Sequence, residues 1–135
     1  MARDIQVTFD AAFPRELGLF WGRVLGYVEQ PPPPGFESWD DALDAMGIDR
    51  SDPDRAFAVV DPEGVGPRLF FQRVPEPKSS KNRMHLDVRA APDELHARAA
   101  QLVALGAQLV TEIDEPGGHF ITMLDPEGNE FCLQG

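Results

Sequence analysis

Three histidines, His85, His96 and His119, and one cysteine, Cys132, are the residues of this chain best suited to move a proton or hold a metal. His85 opens an alternating segment, with Asp87 on its side and Leu86 and Val88 opposite. A histidine and a carboxylate on one row of a strand can share a proton, and a thiol beside an imidazole can become a nucleophile. Each residue also has a plainer reading. Asp87 can pair with Arg89 at the surface, and Cys132 can be a small buried hydrophobe. His96 lies between Glu94 and Arg98 and reads as a solvated helix residue; His119 follows Gly117-Gly118 and either lines the mouth of a ligand site or is an exposed loop histidine. The basic run from Lys78 through Lys81 and Arg83 either guides an anionic substrate or is a solvated linker.

The elements that must position these groups follow from periodicity. Ile5, Val7 and Phe9 alternate with Gln6, Thr8 and Asp10, which predicts a half-buried strand. Pro14 opens a helix whose stripe is Leu17, Phe20, Trp21, Val24 and Leu25, and Gly26 closes it. A proline run at Pro31–Pro34 begins an excursion over 31–56, in which Ser38 caps a short helix reaching Met46. Phe36 and Trp39 are candidates for a lid, an aromatic wall or a dimer contact. Further strands are predicted at Tyr27–Gln30, Ala56–Val60 and Arg68–Val74, then at His85–Arg89, Gln108–Thr111, Phe120–Leu124 and Glu130–Leu133. Pro92 starts the second long helix, with Leu95, Ala99, Leu102 and Val103 as its stripe and Gly106 at its end.

The two halves repeat. Leu25-Gly26 and Leu105-Gly106 end the long helices 80 residues apart, and Gln6 and His85 open the leading strands 79 apart. Asp-Pro-Glu-Gly at 61–64 recurs at 125–128, and the excursion at 31–56 absorbs the difference in spacing. This predicts an α+β fold of two tandem βαβββ modules. The whole chain, 1–135, is then one domain, with module one at about 1–76 and module two at about 82–135. Rows of polar groups opposite the apolar rows, Gln6/Thr8, Phe70/Gln72, His85/Asp87 and Glu130/Cys132, would suit a concave small-molecule site.

Composition narrows the partners. Twelve Lys+Arg against 23 Asp+Glu give a formal charge of −11, which argues against nucleic acid and anionic membranes. One cysteine excludes an internal disulfide and a structural zinc site of several thiolates. No apolar run would span a bilayer, and the N-terminus lacks a signal pattern, so a cytoplasmic location is expected.

Phe20-Trp21 through Gly26-Tyr27, His85-Leu86-Asp87-Val88 and Asp125-Pro126-Glu127-Gly128-Asn129-Glu130-Phe131 together resemble the vicinal oxygen chelate superfamily. That superfamily includes glyoxalase I, bleomycin-resistance proteins, fosfomycin-resistance thiol transferases and extradiol dioxygenases. The stretch Arg68–Pro77, with Lys81-Asn82-Arg83, is similar to the glyoxalase-like subgroup common in actinobacteria. The resemblance implies a cupped mixed sheet with helices on the outer face, and often a homodimer. It places metal ligands at Gln6, Gln72 (or its neighbour Phe70), His85 and Cys132. Both positions where that family uses Glu lack a carboxylate here, so a glyoxalase I reaction is not expected. Zinc, nickel, iron and manganese are the candidate ions, with none certain, and Cys132 would favour zinc. The expected function is small-molecule binding without a standard glyoxalase metal site, with a pocket of Gln6, Thr8, Phe70, Gln72, His85, Asp87, His119 and Cys132. The alternative is a lyase, dioxygenase or isomerase with His85 as catalytic residue.

Overall fold

A computed structural model describes residues 1–135, which form two units, Met1–Val74 and Pro75–Gly135. Each is built as a βαβββ module, and the fold is α+β.

In the first unit, β1 (Gln6–Ala11) leads into α1 (Pro14–Leu25). Pro14 sits in the first turn, where its missing N–H costs nothing, and Gly26 closes the helix at φ 71°. Leu17, Phe20, Trp21 and Val24 are buried along one stripe. They lie over a sheet in the order β1-β4-β3-β2, made with β4 (Arg68–Arg73), β3 (Ala56–Val60) and β2 (Val28–Glu29). The β1–β4 pair is parallel; the other pairs are antiparallel. Phe9 stacks on Phe71 at 4.9 Å and meets Trp21 at 5.2 Å, so the odd residues of β1 and β4 face the helix. Ile5 does not extend that row; it precedes β1 and is exposed.

The excursion carries α2 (Trp39–Ala45), capped by Ser38 Oγ, which accepts from Asp41 N at 3.1 Å. Trp39 Nε1 donates to the Gln30 carbonyl at 2.8 Å, and Ala42 is fully buried. Arg50 pairs with Asp40 and Asp44, and Arg73 with Asp52 and Asp54.

The second unit repeats the plan with sheet order β5-β8-β7-β6. Its strands are β5 (Leu86–Arg89), β6 (Gln108–Glu115), β7 (Gly118–Leu124) and β8 (Glu130–Gln134), and its helix is α3 (Leu95–Ala104), preceded by a 3₁₀ turn at Pro92–Glu94. Leu95, Ala99 and Leu102 are buried, as are Ile121, Met123, Phe131 and Leu133, whereas Val103 is exposed. β5 and β8 run parallel, with Asp87 opposite Cys132. β6 runs to Glu115, four residues past the predicted end, because it is an exposed edge strand whose polar residues give no alternation to read. No helix is long and apolar enough to cross a membrane.

The repeated Asp-Pro-Glu-Gly turns close alike. Asp61 accepts from the backbone of Glu63, Val65 and Gly66, and Asp125 from Glu127 and Asn129. The Gly66, Glu63 and Val65 N–H groups hold the Asp61 carboxyl below the ordinary carboxylate range.

Two expectations follow. A methyl at Gly18 would overlap the Phe57 ring and lie 3.1 Å from Phe71. Gly18→Ala should therefore cost about 1–3 kcal/mol in denaturant unfolding. Because the folded pKa of Asp61 is depressed, its contribution is present above the unfolded carboxylate pKa and fades as pH falls through the folded value. Asp61→Asn should flatten that part of the acid-unfolding curve measured by circular dichroism.

Candidate functional site

With one face of each sheet under a helix, the alternation of side chains leaves the polar rows on the other face. On the first sheet this open face carries Gln6, Thr8 and Asp10 from β1 and Arg68, Phe70 and Gln72 from β4. Arg68 organises one end. Its Nη1 donates to Gln6 Oε1 at 2.8 Å, its Nε to Gln30 Oε1 at 2.7 Å, and its guanidinium lies 5.0 Å from the Phe70 ring. Gln6 Nε2 in turn donates to Thr8 Oγ1 at 3.3 Å. At the other end Gln72 Nε2 donates to Asp10 Oδ1 at 2.8 Å.

The parallel register sets Gln6 beside Arg68 and Gln72 beside Asp10. The two glutamines are thus four residues apart along the strands, about 13 Å. Each amide is taken up by its own neighbour, Gln6 by Arg68 and Gln72 by Asp10, and the strands do not bring the two side chains together. Phe70, the neighbouring alternative, has no ligand atom.

On the second sheet the open face carries His85, Asp87, Thr122, Glu130 and Cys132. His85 Nδ1 lies 3.2 Å from Asp87 Oδ1, and Cys132 Sγ 3.4 Å from Thr122 Oγ1. The ligand atoms of His85, Asp87 and Cys132 all fall within 4.8 Å of one another. One nitrogen, one carboxylate oxygen and one sulfur fit a borderline ion such as zinc, not a hard ion such as manganese. His85 and Asp87 are exposed and Cys132 is 8% exposed. Asp87 is the one carboxylate of this group. Glu130, on the same face, accepts from Asn82 N at 2.9 Å, with Lys78 3.9 Å away; the Asn82 N–H, above all, lowers its pKa.

His119 does not join this group. It shares the row of Ile121 and Met123, which are buried on the helix side, and its Nε2 contacts Glu112 Oε2 on β6 at 2.6 Å. The strand phase, set by those two apolar residues, places it on the face opposite Cys132. His96 is not merely solvated either; it reaches the same Glu112 oxygen at 2.7 Å. Arg68 and Glu112 were not anticipated as functional groups. Arg68 is legible as the one cation on a face that otherwise carries amides, a hydroxyl, a carboxylate and an aromatic ring. Glu112 lay beyond the predicted end of its strand and carried no signal. A recess of about 390 Å³ in the first unit is lined by none of these residues but by Leu19, Arg23, Tyr27 and Val59 among others.

A family model described as the glyoxalase-like domain matches residues 6–134. No curated protein matches the sequence significantly. Among solved structures, a variant of the fosfomycin resistance protein FosX from Listeria monocytogenes, complexed with Mn(II) and 1S,2S-dihydroxypropylphosphonic acid, superposes with a TM-score of 0.70 at 12% identity, covering 100% of this chain and 92% of that one. FosX from Mesorhizobium loti gives 0.68 at 12%, covering 99% and 91%. A glyoxalase-related enzyme from Fulvimarina pelagi gives 0.66 at 16%, covering 99% and 88%. At these identities the likeness is one of fold.

Proposed function

Because the chain belongs to the glyoxalase-like domain family of the vicinal oxygen chelate superfamily, we propose that it binds a small molecule at its open sheet faces without a standard glyoxalase metal site. The observation that carries this reading is the state of the glutamine positions. Gln6 is held by Arg68 and Gln72 by Asp10, about 13 Å apart along the strands. A fixed cation beside Gln6 repels a metal ion and attracts an anion. With the Phe70 ring beneath it, Arg68 suits a small carboxylate, phosphate or phosphonate carrying some apolar surface. The phosphonate bound by the Listeria FosX variant belongs to that chemical class. One domain over 1–135, a homodimer and a cytoplasmic setting complete the proposal; the acidic charge of −11 is compatible with them.

A second reading has its own observation. Asp87 within hydrogen-bond distance of His85 is the arrangement of a proton-transfer pair. With Nδ1–H donated to Asp87, His85 presents the Nε2 lone pair to a substrate, as a lyase, isomerase or dioxygenase would require. A divalent ion in that reading would be held by His85, Asp87 and Cys132, and would supply Lewis acidity.

The two readings separate in one experiment. Small carboxylates, phosphate esters and phosphonates are screened by thermal shift in buffer containing chelator. A ligand should stabilise the wild-type chain, and Arg68→Met should weaken it at least about tenfold, or roughly 1.4 kcal/mol. Stabilisation that needs added metal, or that survives Arg68→Met, would contradict the proposal. If His85→Ala leaves affinity intact but lowers turnover of that ligand by about 10²-fold or more, the enzymatic reading gains.

A further inference from the structure

On the helix-covered side of the second unit, three side chains from three elements converge. His96 comes from α3, Glu112 from β6 and His119 from β7. Both Nε2 atoms approach one oxygen, Glu112 Oε2, at 2.7 and 2.6 Å. The rings stand 5.5 Å apart, tilted by 57°. All three ligand atoms lie within 4.8 Å of one another. We propose that His96, Glu112 and His119 form a binding site for a divalent transition-metal ion, zinc by its ligand chemistry, separate from the His85/Asp87/Cys132 group on the opposite face of the sheet.

Two neutral imidazoles and one carboxylate are a donor set that zinc takes with a fourth position left to water. Zinc–nitrogen bonds of about 2.0–2.1 Å would hold the two Nε2 atoms roughly 3.4 Å apart in a tetrahedral shell. The ligand atoms of the cluster lie within 4.8 Å of one another. His96 is 68% exposed and Glu112 37%, so small rotations can open the space. Without metal, each Nε2–H can donate to Glu112. With metal, each imidazole carries its proton on Nδ1 and turns the Nε2 lone pair to the ion, so no net proton need leave the rings. The sheet brings the ligands together from a distance in sequence. Glu112 pairs with Ile121 and His119 with Asp114, which sets both on the α3 side of the β6–β7 hairpin. β6 is exposed along its whole length, and an ion here would tie that edge strand to α3.

The test is a zinc titration of the full, chelator-stripped chain by calorimetry, followed by cobalt(II) substitution. The wild-type chain should show a binding event that His96→Ala and His119→Ala each weaken at least about tenfold. The His85→Ala/Cys132→Ala double variant should keep it. Should His119→Ala not fold, Glu112→Gln removes the anionic ligand from a more exposed position and should weaken binding in the same way. Cobalt should give visible ligand-field bands that persist in Cys132→Ala protein, with no thiolate charge-transfer band belonging to this event. Absence of zinc binding, binding indifferent to these three residues, or a cobalt spectrum that disappears with Cys132 would overturn the proposal.

Discussion

The parallel pairing of each leading strand with the last strand of its module is the constraint on which the other features depend. It joins β1 to β4 and β5 to β8, and α1 and α3 each cover one face of the resulting sheet. Once Phe9, Leu69 and Phe71 are fixed toward the helix in one module, and Phe131 and Leu133 in the other, alternation decides the face of the remaining side chains of β1, β4, β5 and β8. A slip of one residue would bury Gln6, Thr8 and Arg68 and expose the aromatic core. The apolar face therefore holds the polar face in register, and the close seating of α1 at Gly18 belongs to the same constraint.

That register separates chemistries. On the first sheet it isolates Gln6 from Gln72 and gives each a protein partner. On the second it gathers Cys132 from β8, Asp87 from β5 and His85 from the residue just before β5. On the reverse side of the second sheet it aligns Glu112 and His119 beneath His96. The repeated modules thus share a backbone plan while their side chains diverge. The first presents a cation braced by amides and an aromatic ring, and the second presents an imidazole, a carboxylate and a thiol.

Much of this was legible in sequence because the signals were local. The stripe of Leu17, Phe20, Trp21 and Val24, the alternation of Gln6 through Asp10, and the repeated turns at Asp61 and Asp125 report directly on helix, strand and loop. The polar rows containing His85 and Cys132 were legible for the same reason. What failed depended on partners distant in the chain. Gln6 meets Arg68 rather than Gln72 because of a pairing between strands 62 residues apart, which no local pattern encodes. His119 was misplaced because a glycine turn hid the phase of β7, which Ile121 and Met123 fix further on. Glu112 was missed because an exposed edge strand has no buried face to impose a pattern.

The central claim is that the glutamine positions do not make a metal site. Its most direct test is elemental analysis of tag-free protein carrying His96→Ala and His119→Ala, purified without chelator, beside the same protein with Gln6→Ala or Gln72→Ala. The account predicts that neither glutamine substitution changes the divalent metal content. A stoichiometric ion that is lost on replacing either glutamine would contradict it.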